Sequence, residues 1–169
     1  MVRYADSPTA EVEVTIDAPP SAVWPLVCDI DLPARFSEEF QGAEWIDDGP
    51  ARGAIFRGRN RHPMVGEWSV VCTVTDYEPQ RVFEWTVGDL DDRTARWRFE
   101  LAEQGAGCRL SFRAEMGPGP SGLTPAIERM PEREEDIIDH RLEEWSANMR
   151  RTVDGIAALA EGAAPTSDR

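Results

Sequence analysis

Residues 94–116 read TARWRFELAEQGAGCRLSFRAEM, and this stretch decides the fold. From Thr94 to Glu103 the chain alternates. Ala95, Trp97, Phe99 and Leu101 are apolar, whereas Arg96, Arg98 and Glu100 are charged. A period of two puts the first set on one face of a strand and the second on the other. Gly105-Ala106-Gly107 reads as a hairpin connection, because glycine adopts the backbone that tight turns between strands require. Cys108 to Met116 then pairs back, with Cys108, Leu110, Phe112 and Ala114 inward and Arg109, Ser111, Arg113 and Glu115 outward. One buried face and one wet face is the habit of an antiparallel sheet.

Upstream, the same alternation recurs. Glu11 to Asp17 is a strand with Val12, Val14 and Ile16 inward. Ala18-Pro19-Pro20 stops it, and Ser21 is placed to cap a helix to about Cys28 that carries Val23, Trp24 and Val27 on one face. Asp29 to Phe40 reads as a second short helical piece interrupted by Pro33. Strands follow at Ala43 to Asp48, Ala54 to His62, Gly66 to Tyr77 and Val82 to Val87, separated by turn residues such as Asp48-Gly49-Pro50. Trp68, Val70, Cys72 and Val74 share one face of the long strand; Phe83, Trp85 and Val87 share one face of the next. Neither Tyr4 nor Tyr77 falls on an inward face.

Downstream, after the loop Gly117 to Gly122, the period changes to 3.6. Leu123 to about Glu161 reads as a long helix with a break near Pro131, and Ile138, Leu142, Trp145, Met149, Val153, Ile156 and Leu159 form one stripe. The order is strand, two short helices, six strands and one long amphipathic helix. A helix held against one face of an antiparallel sheet is the α+β solution to burying both. We therefore expect one domain over residues 11–161, a flexible N-terminus over 1–10 and a disordered tail over 162–169.

Composition narrows the function classes. The chain has 169 residues and a formal net charge of -14, and all 18 basic residues are arginine. So acidic a surface repels phosphate backbones and anionic lipid, which argues against nucleic acid and membranes as partners. The absence of lysine removes Schiff-base and P-loop chemistry. Cys28, Cys72 and Cys108 are far apart, odd in number and set in apolar stretches, which predicts free thiols in a reducing compartment, here the cytoplasm. No Cys/His cluster with metal-ligand spacing occurs, so neither a metal nor another cofactor is expected.

The chain resembles the START/Bet v 1-like superfamily, in the branch of polyketide cyclase/dehydrase and lipid transport proteins. The residues that carry the resemblance are Val14 to Trp24 (VTIDAPPSAVW), Asp29 to Pro33 (DIDLP), Gly53 to Gly58 (GAIFRG) and Thr94 to Leu101. The resemblance implies a helix-grip fold: a seven-stranded curved antiparallel sheet around a long C-terminal helix, with two short helices between strands 1 and 2. It also implies a cavity between sheet and helix, which periodicity alone cannot reveal.

Within that frame, the strand Ala54 to His62 places Phe56, Gly58, Asn60 and His62 on the pocket side and Arg57, Arg59 and Arg61 outside. Asn60 and His62 are the candidate catalytic groups, for holding a carbonyl and moving a proton. The alternatives are a local turn contact for Asn60 and a solvated strand-end imidazole for His62. Trp68, Val70, Trp85, Trp97, Phe99 and Phe112 are candidate ligand-binding walls, with Trp145 and Met149 facing them from the helix. Each could equally be ordinary core. Arg141 sits at the stripe's edge, where it either pairs with Glu144 in solvent or points into the cavity mouth; His140 is expected to be exposed. No nucleophile–base constellation is present. The expected ligand is a hydrophobic or aromatic small molecule, polyketide- or lipid-like. The chain would act on it as a cyclase, aromatase or dehydratase, carry it without chemistry, or modulate a partner protein, as a monomer or homodimer.

Overall fold

The computed structural model describes residues 1–162. Their seven strands are β1 (Thr9–Ile16), β2 (Phe40–Trp45), β3 (Ile55–His62), β4 (Gly66–Glu78), β5 (Val82–Gly88), β6 (Arg93–Gln104) and β7 (Gly107–Met116). They form one antiparallel sheet in the order β1-β7-β6-β5-β4-β3-β2. Between β1 and β2 lie α1 (Pro20–Val27) and a 3₁₀ turn (Leu32–Arg35), which carry the chain from one sheet edge to the other. After β7 come α2 (Thr124–Arg129), a 3₁₀ turn at Pro131–Arg133 and α3 (Glu134–Gly162). The expected helix break at Pro131 is present. The fold is the helix grip, with α3 lying against β1 and α1 on the concave side.

The alternation read from residues 94–116 becomes the core. Phe99, Leu101, Cys108, Leu110, Phe112 and Ala114 are all buried. The β6–β7 pair is in register, Phe99 opposite Phe112 and Gln104 opposite Gly107, so the turn is the two residues Gly105-Ala106. The outer face carries arginines and acids in cross-strand ladders. Arg98 bonds Glu84 at 2.8 Å and Asp76 at 3.2 Å across neighbouring strands.

Several expectations need correction. The N-terminus is tied down: the ring of Tyr4 is buried, and its hydroxyl donates to the Gly119 carbonyl at 2.7 Å. Tyr77 also faces inward, between Trp24 at 5.8 Å and Phe83 at 6.1 Å. A bulge between Val74 and Asp76 reverses the alternation of β4, turning Asp76 out and Tyr77 in; strict period two would have done the opposite. Strand β2 begins three residues earlier than predicted and ends at Trp45, because the Asp47 carboxylate accepts from the Ile55 amide and starts the turn. Ser21 does not cap α1; the helix opens on Pro20, whose missing N–H would have been unsatisfied there. Asp29 to Phe40 holds only the 3₁₀ turn and the start of β2. Of the tail expected over 162–169, Gly162 ends α3, and 163–169 lie outside the described residues.

Mid-helix Gly155 explains how α3 sits so close to the segment before β2. A Cβ there would overlap the ring of Phe36, so the position trades helix propensity for a close approach.

Candidate functional site

The backbone of α3 stands off from the concave faces of β3 to β6, and its middle reaches them through Trp145. Between them is a cavity of about 190 Å³. Its walls are aromatic because the inward positions of consecutive antiparallel strands come side by side. Trp85 on β5 lies opposite Trp97 on β6, their rings 6.5 Å apart and nearly parallel. Phe56 on β3 meets Trp85 edge-on at 5.9 Å, and Phe99 stacks on Phe112 at 3.9 Å. From α3, Trp145 comes within 4.8 Å of Trp97. These rings, with Trp68 and Val70 of β4 and Met149 of α3, line the cavity.

Gly58 also lines it. The space its missing side chain leaves is taken by Phe40, since a Cβ there would sit 3.3 Å from that ring. Asn60 is on the wall, whereas Arg57, Arg59 and Arg61 are exposed on the outer face, as the register of β3 required.

At the mouth, the polar groups form one connected network. The Arg141 guanidinium donates to both oxygens of Glu39, at 2.6 and 2.8 Å, and to Glu144 at 2.9 Å. It also lies over the Trp145 ring at 5.7 Å, a cation–π contact. Its side chain is only 16% exposed, so the pair with Glu144 exists but is not the solvated one expected from α3 alone. Burial by itself would lower the pKa of Arg141; the two carboxylates raise it instead. Glu144 shows the same contest. Burial pulls its carboxyl up, and the hydrogen bonds from His62 and Arg141 outweigh that and hold it below the ordinary range.

His62 is not on the cavity wall. Its Nδ1 accepts from the Met64 backbone amide at 3.0 Å, so the ring carries its proton on Nε2 and donates to Glu144 at 2.9 Å. A neutral imidazole has one lone pair, and here it is already used. In this geometry His62 positions Glu144 and has no site free to take a substrate proton. The same reasoning applies to cation binding. Donor atoms of Glu39, His62 and Glu144 lie within 4.8 Å of one another, but the His62 lone pair faces Met64 and Arg141 neutralises the carboxylates. The trio fits an ion-pair network better than a metal cage. His140 is exposed, 3.7 Å from Glu144.

The sequence reading missed Glu39, Phe40 and Asp29, all of which line the cavity. Glu39 stands 102 residues from its partner Arg141, and no local pattern links them. The cysteines offer no nucleophile. Burial pushes the Cys28 thiol up to about 11 and Cys72 to about 12, and Cys108 is pushed up as well. No helix among the described residues is long and apolar enough to cross a membrane.

Comparisons with known proteins agree with this architecture. Residues 7–161 match the family described as polyketide cyclase / dehydrase and lipid transport. The Polyketide_cyc-like protein Cgl2372 of Corynebacterium glutamicum is 27% identical, with a TM-score of 0.65 over 90% of this chain and 91% of that one. Protein TTHA0849 of Thermus thermophilus is 13% identical, with a TM-score of 0.63 over 94% of this chain and 100% of that one. Ara h 8.0201, also 13% identical, has a TM-score of 0.55 over 92% and 95% of the two chains. The last two likenesses bear on the fold alone. No curated protein matches the chain. With its helix grip, its cavity and a family match that runs nearly end to end, the chain belongs to the polyketide cyclase/dehydrase and lipid transport family, a ligand-binding branch of the START/Bet v 1-like (SRPBCC) superfamily.

Proposed function

We propose that this protein binds a hydrophobic or aromatic small molecule, polyketide-like or a single-chain lipid, in the cavity under α3. The observation that carries this is the wall itself: aromatic rings, among them Phe56, Trp68, Trp85, Trp97, Phe112 and Trp145, around a space with few polar groups. Pockets of this kind bind mainly through apolar surface, and a few placed polar groups set orientation. The volume limits the ligand. A cavity of about 190 Å³ is below the roughly 300–1,000 Å³ common for drug-sized ligands, so a two-chain lipid does not fit without opening. Phe56, Gly58, Trp68, Val70, Trp85, Trp97, Phe99, Phe112, Trp145 and Met149 would provide contact surface, with Asn60 and Arg141 as polar anchors.

The test is a tryptophan-fluorescence titration with small aromatic and single-chain probes, alongside native mass spectrometry of the purified protein. Saturable quenching that weakens in Trp97→Leu is expected. A flat response across the panel, with no co-purified mass, overturns the reading.

A catalytic version, as a cyclase, aromatase or dehydratase, draws on Arg141 and Asn60 reaching the wall. Arg141 would hold a developing oxyanion and Asn60 a carbonyl, while His62 would act through Glu144. It predicts that a poly-β-ketone is consumed and that Arg141→Gln loses turnover more than binding; unchanged substrate after incubation with folded protein counts against it. A partner-modulating version draws on Met64 and Val65 at the β3–β4 tip and Leu90 between β5 and β6, which are exposed apolar residues. The binding reading is preferred because the aromatic cavity has no use in the partner version.

A further inference from the structure

The charges around the cavity are not neutral. Three carboxylates stand at or beside it: Asp29 and Glu39 on the lining and Glu144 just behind. Among the described residues, Arg141 is the single cation on the lining, and it is already held by both oxygens of Glu39 and by Glu144. The net charge of the chain shares the sign. The β5–β6 loop carries Asp89, Asp91 and Asp92, the first turn of α3 carries Glu134, Glu135 and Asp136, and the whole chain has a net charge of -14.

A carboxylate ligand meets Asp29 and Glu39 on the lining, in a chain of net charge -14. To reach Arg141 it must displace a two-pronged, charge-assisted pair. A neutral ligand meets neither obstacle, and a hydroxyl group can donate to Glu39 or exchange hydrogen bonds with Asn60, whose amide both donates and accepts. We propose that the cavity selects neutral, planar, hydroxylated aromatic ligands and rejects carboxylates of the same shape, with Glu39 as the specificity-determining residue. This rests on the binding reading above and adds the charge of the ligand to it.

A matched pair of bicyclic probes tests it: 2-naphthol and 2-naphthoate share ring and attachment point and differ in charge near neutral pH. The naphthol is expected to quench tryptophan fluorescence saturably, with the naphthoate weaker by about tenfold or more, since like charge brought close is strongly unfavourable. Glu39→Gln removes one carboxylate and frees part of Arg141, so it should close that gap by about tenfold. Raising the salt should narrow the gap in the unaltered protein, a readout that does not depend on the variant folding. Naphthoate binding as tightly as naphthol overturns the selectivity and leaves the binding reading standing. A gap that neither salt nor Glu39→Gln narrows overturns the charge mechanism. If neither probe binds, the binding reading fails and the selectivity falls with it.

Discussion

The two sides of the sheet treat the same helix differently. On the β1–β7 side, Ile16, Cys108, Leu110 and Ala114 are fully buried, and the C-terminal half of α3 meets that side with Val153, Ile156 and Ala160. On the β3–β6 side, Trp68, Val70, Trp85 and Trp97 are only half-buried, and the middle of α3 stands off from them. Small and aliphatic side chains let helix and strand close up. Large rings do the reverse when they pack on one another: Trp85 alone lies within 6.5 Å, centroid to centroid, of Phe56, Phe83, Trp97, Phe99 and Phe112. Rings held by other rings cannot swing in to fill the gap, so the space persists. One side of the molecule is sealed and the other keeps an aromatic-walled space.

That contrast can be broken by substitution. The largest effect is expected on the sealed side. Leu110→Ala or Ile156→Ala leaves a hole the packed strands cannot close. Either should cost about 2–5 kcal/mol and lower Tm by roughly 5–20 °C, with probe affinity of the folded fraction unchanged. A loss under about 1 kcal/mol, read from denaturant melts, would mean that this side is not sealed.

Next comes Gly155→Ala. Helix propensity alone favours alanine by about 1 kcal/mol, but the new Cβ overlaps Phe36, and overpacking costs about 1–3 kcal/mol. We expect a net loss that Phe36→Ala relieves when the two are combined. Simple additivity in that cycle would show that the close approach is not what holds the glycine there.

On the open side, Trp97→Leu should cost less stability than a sealed-side truncation, at the low end of about 1–3 kcal/mol, because part of the ring already faces the cavity. Its main effect should be on probe binding, weakened by about tenfold or more. The reverse pattern, large destabilisation with unchanged binding, would make the aromatic wall ordinary core.

The smallest effect is on the pH dependence of stability. Glu144 and Asp76 both titrate below their ordinary values in the folded protein. Burial of Glu144 is outweighed by its bonds to His62 and Arg141; Asp76 is held down first by Arg52 and then by Arg98. Carboxyls lowered on folding stabilise the native state above their unfolded pKa, and that contribution disappears as the pH falls through the folded value. Acid melts should therefore lose stability below about pH 4.5, and Glu144→Gln should remove part of that slope. An unchanged acid limb in Glu144→Gln would sever the mouth network from stability.

Much of this was legible in the chain, for a stated reason. Strands β6 and β7 followed from alternation because each has a wetter and a drier face, so residue chemistry reports side-chain direction; β5 alternates in chemistry too, although its outward Glu84 and Thr86 are buried. The aromatic wall followed by the same logic, since Trp85, Trp97 and Phe112 sit at inward positions of neighbouring strands. Tyr77 was misplaced because a bulge changes direction without changing composition. Tyr4 was misplaced because its partner, the Gly119 carbonyl, is 115 residues away.

By itself, the sequence determined the order of the strands and the long helix, the face buried by the strands without a bulge, and the net acidic charge. These depend on period and composition, which are local properties of a chain. Only the tertiary structure decided that Glu39 would clasp Arg141, that His62 would meet Glu144, and that Phe40 would occupy the space above Gly58. Such contacts join residues whose separation along the chain bears no relation to their separation in space, and the curl of the sheet sets which of them meet.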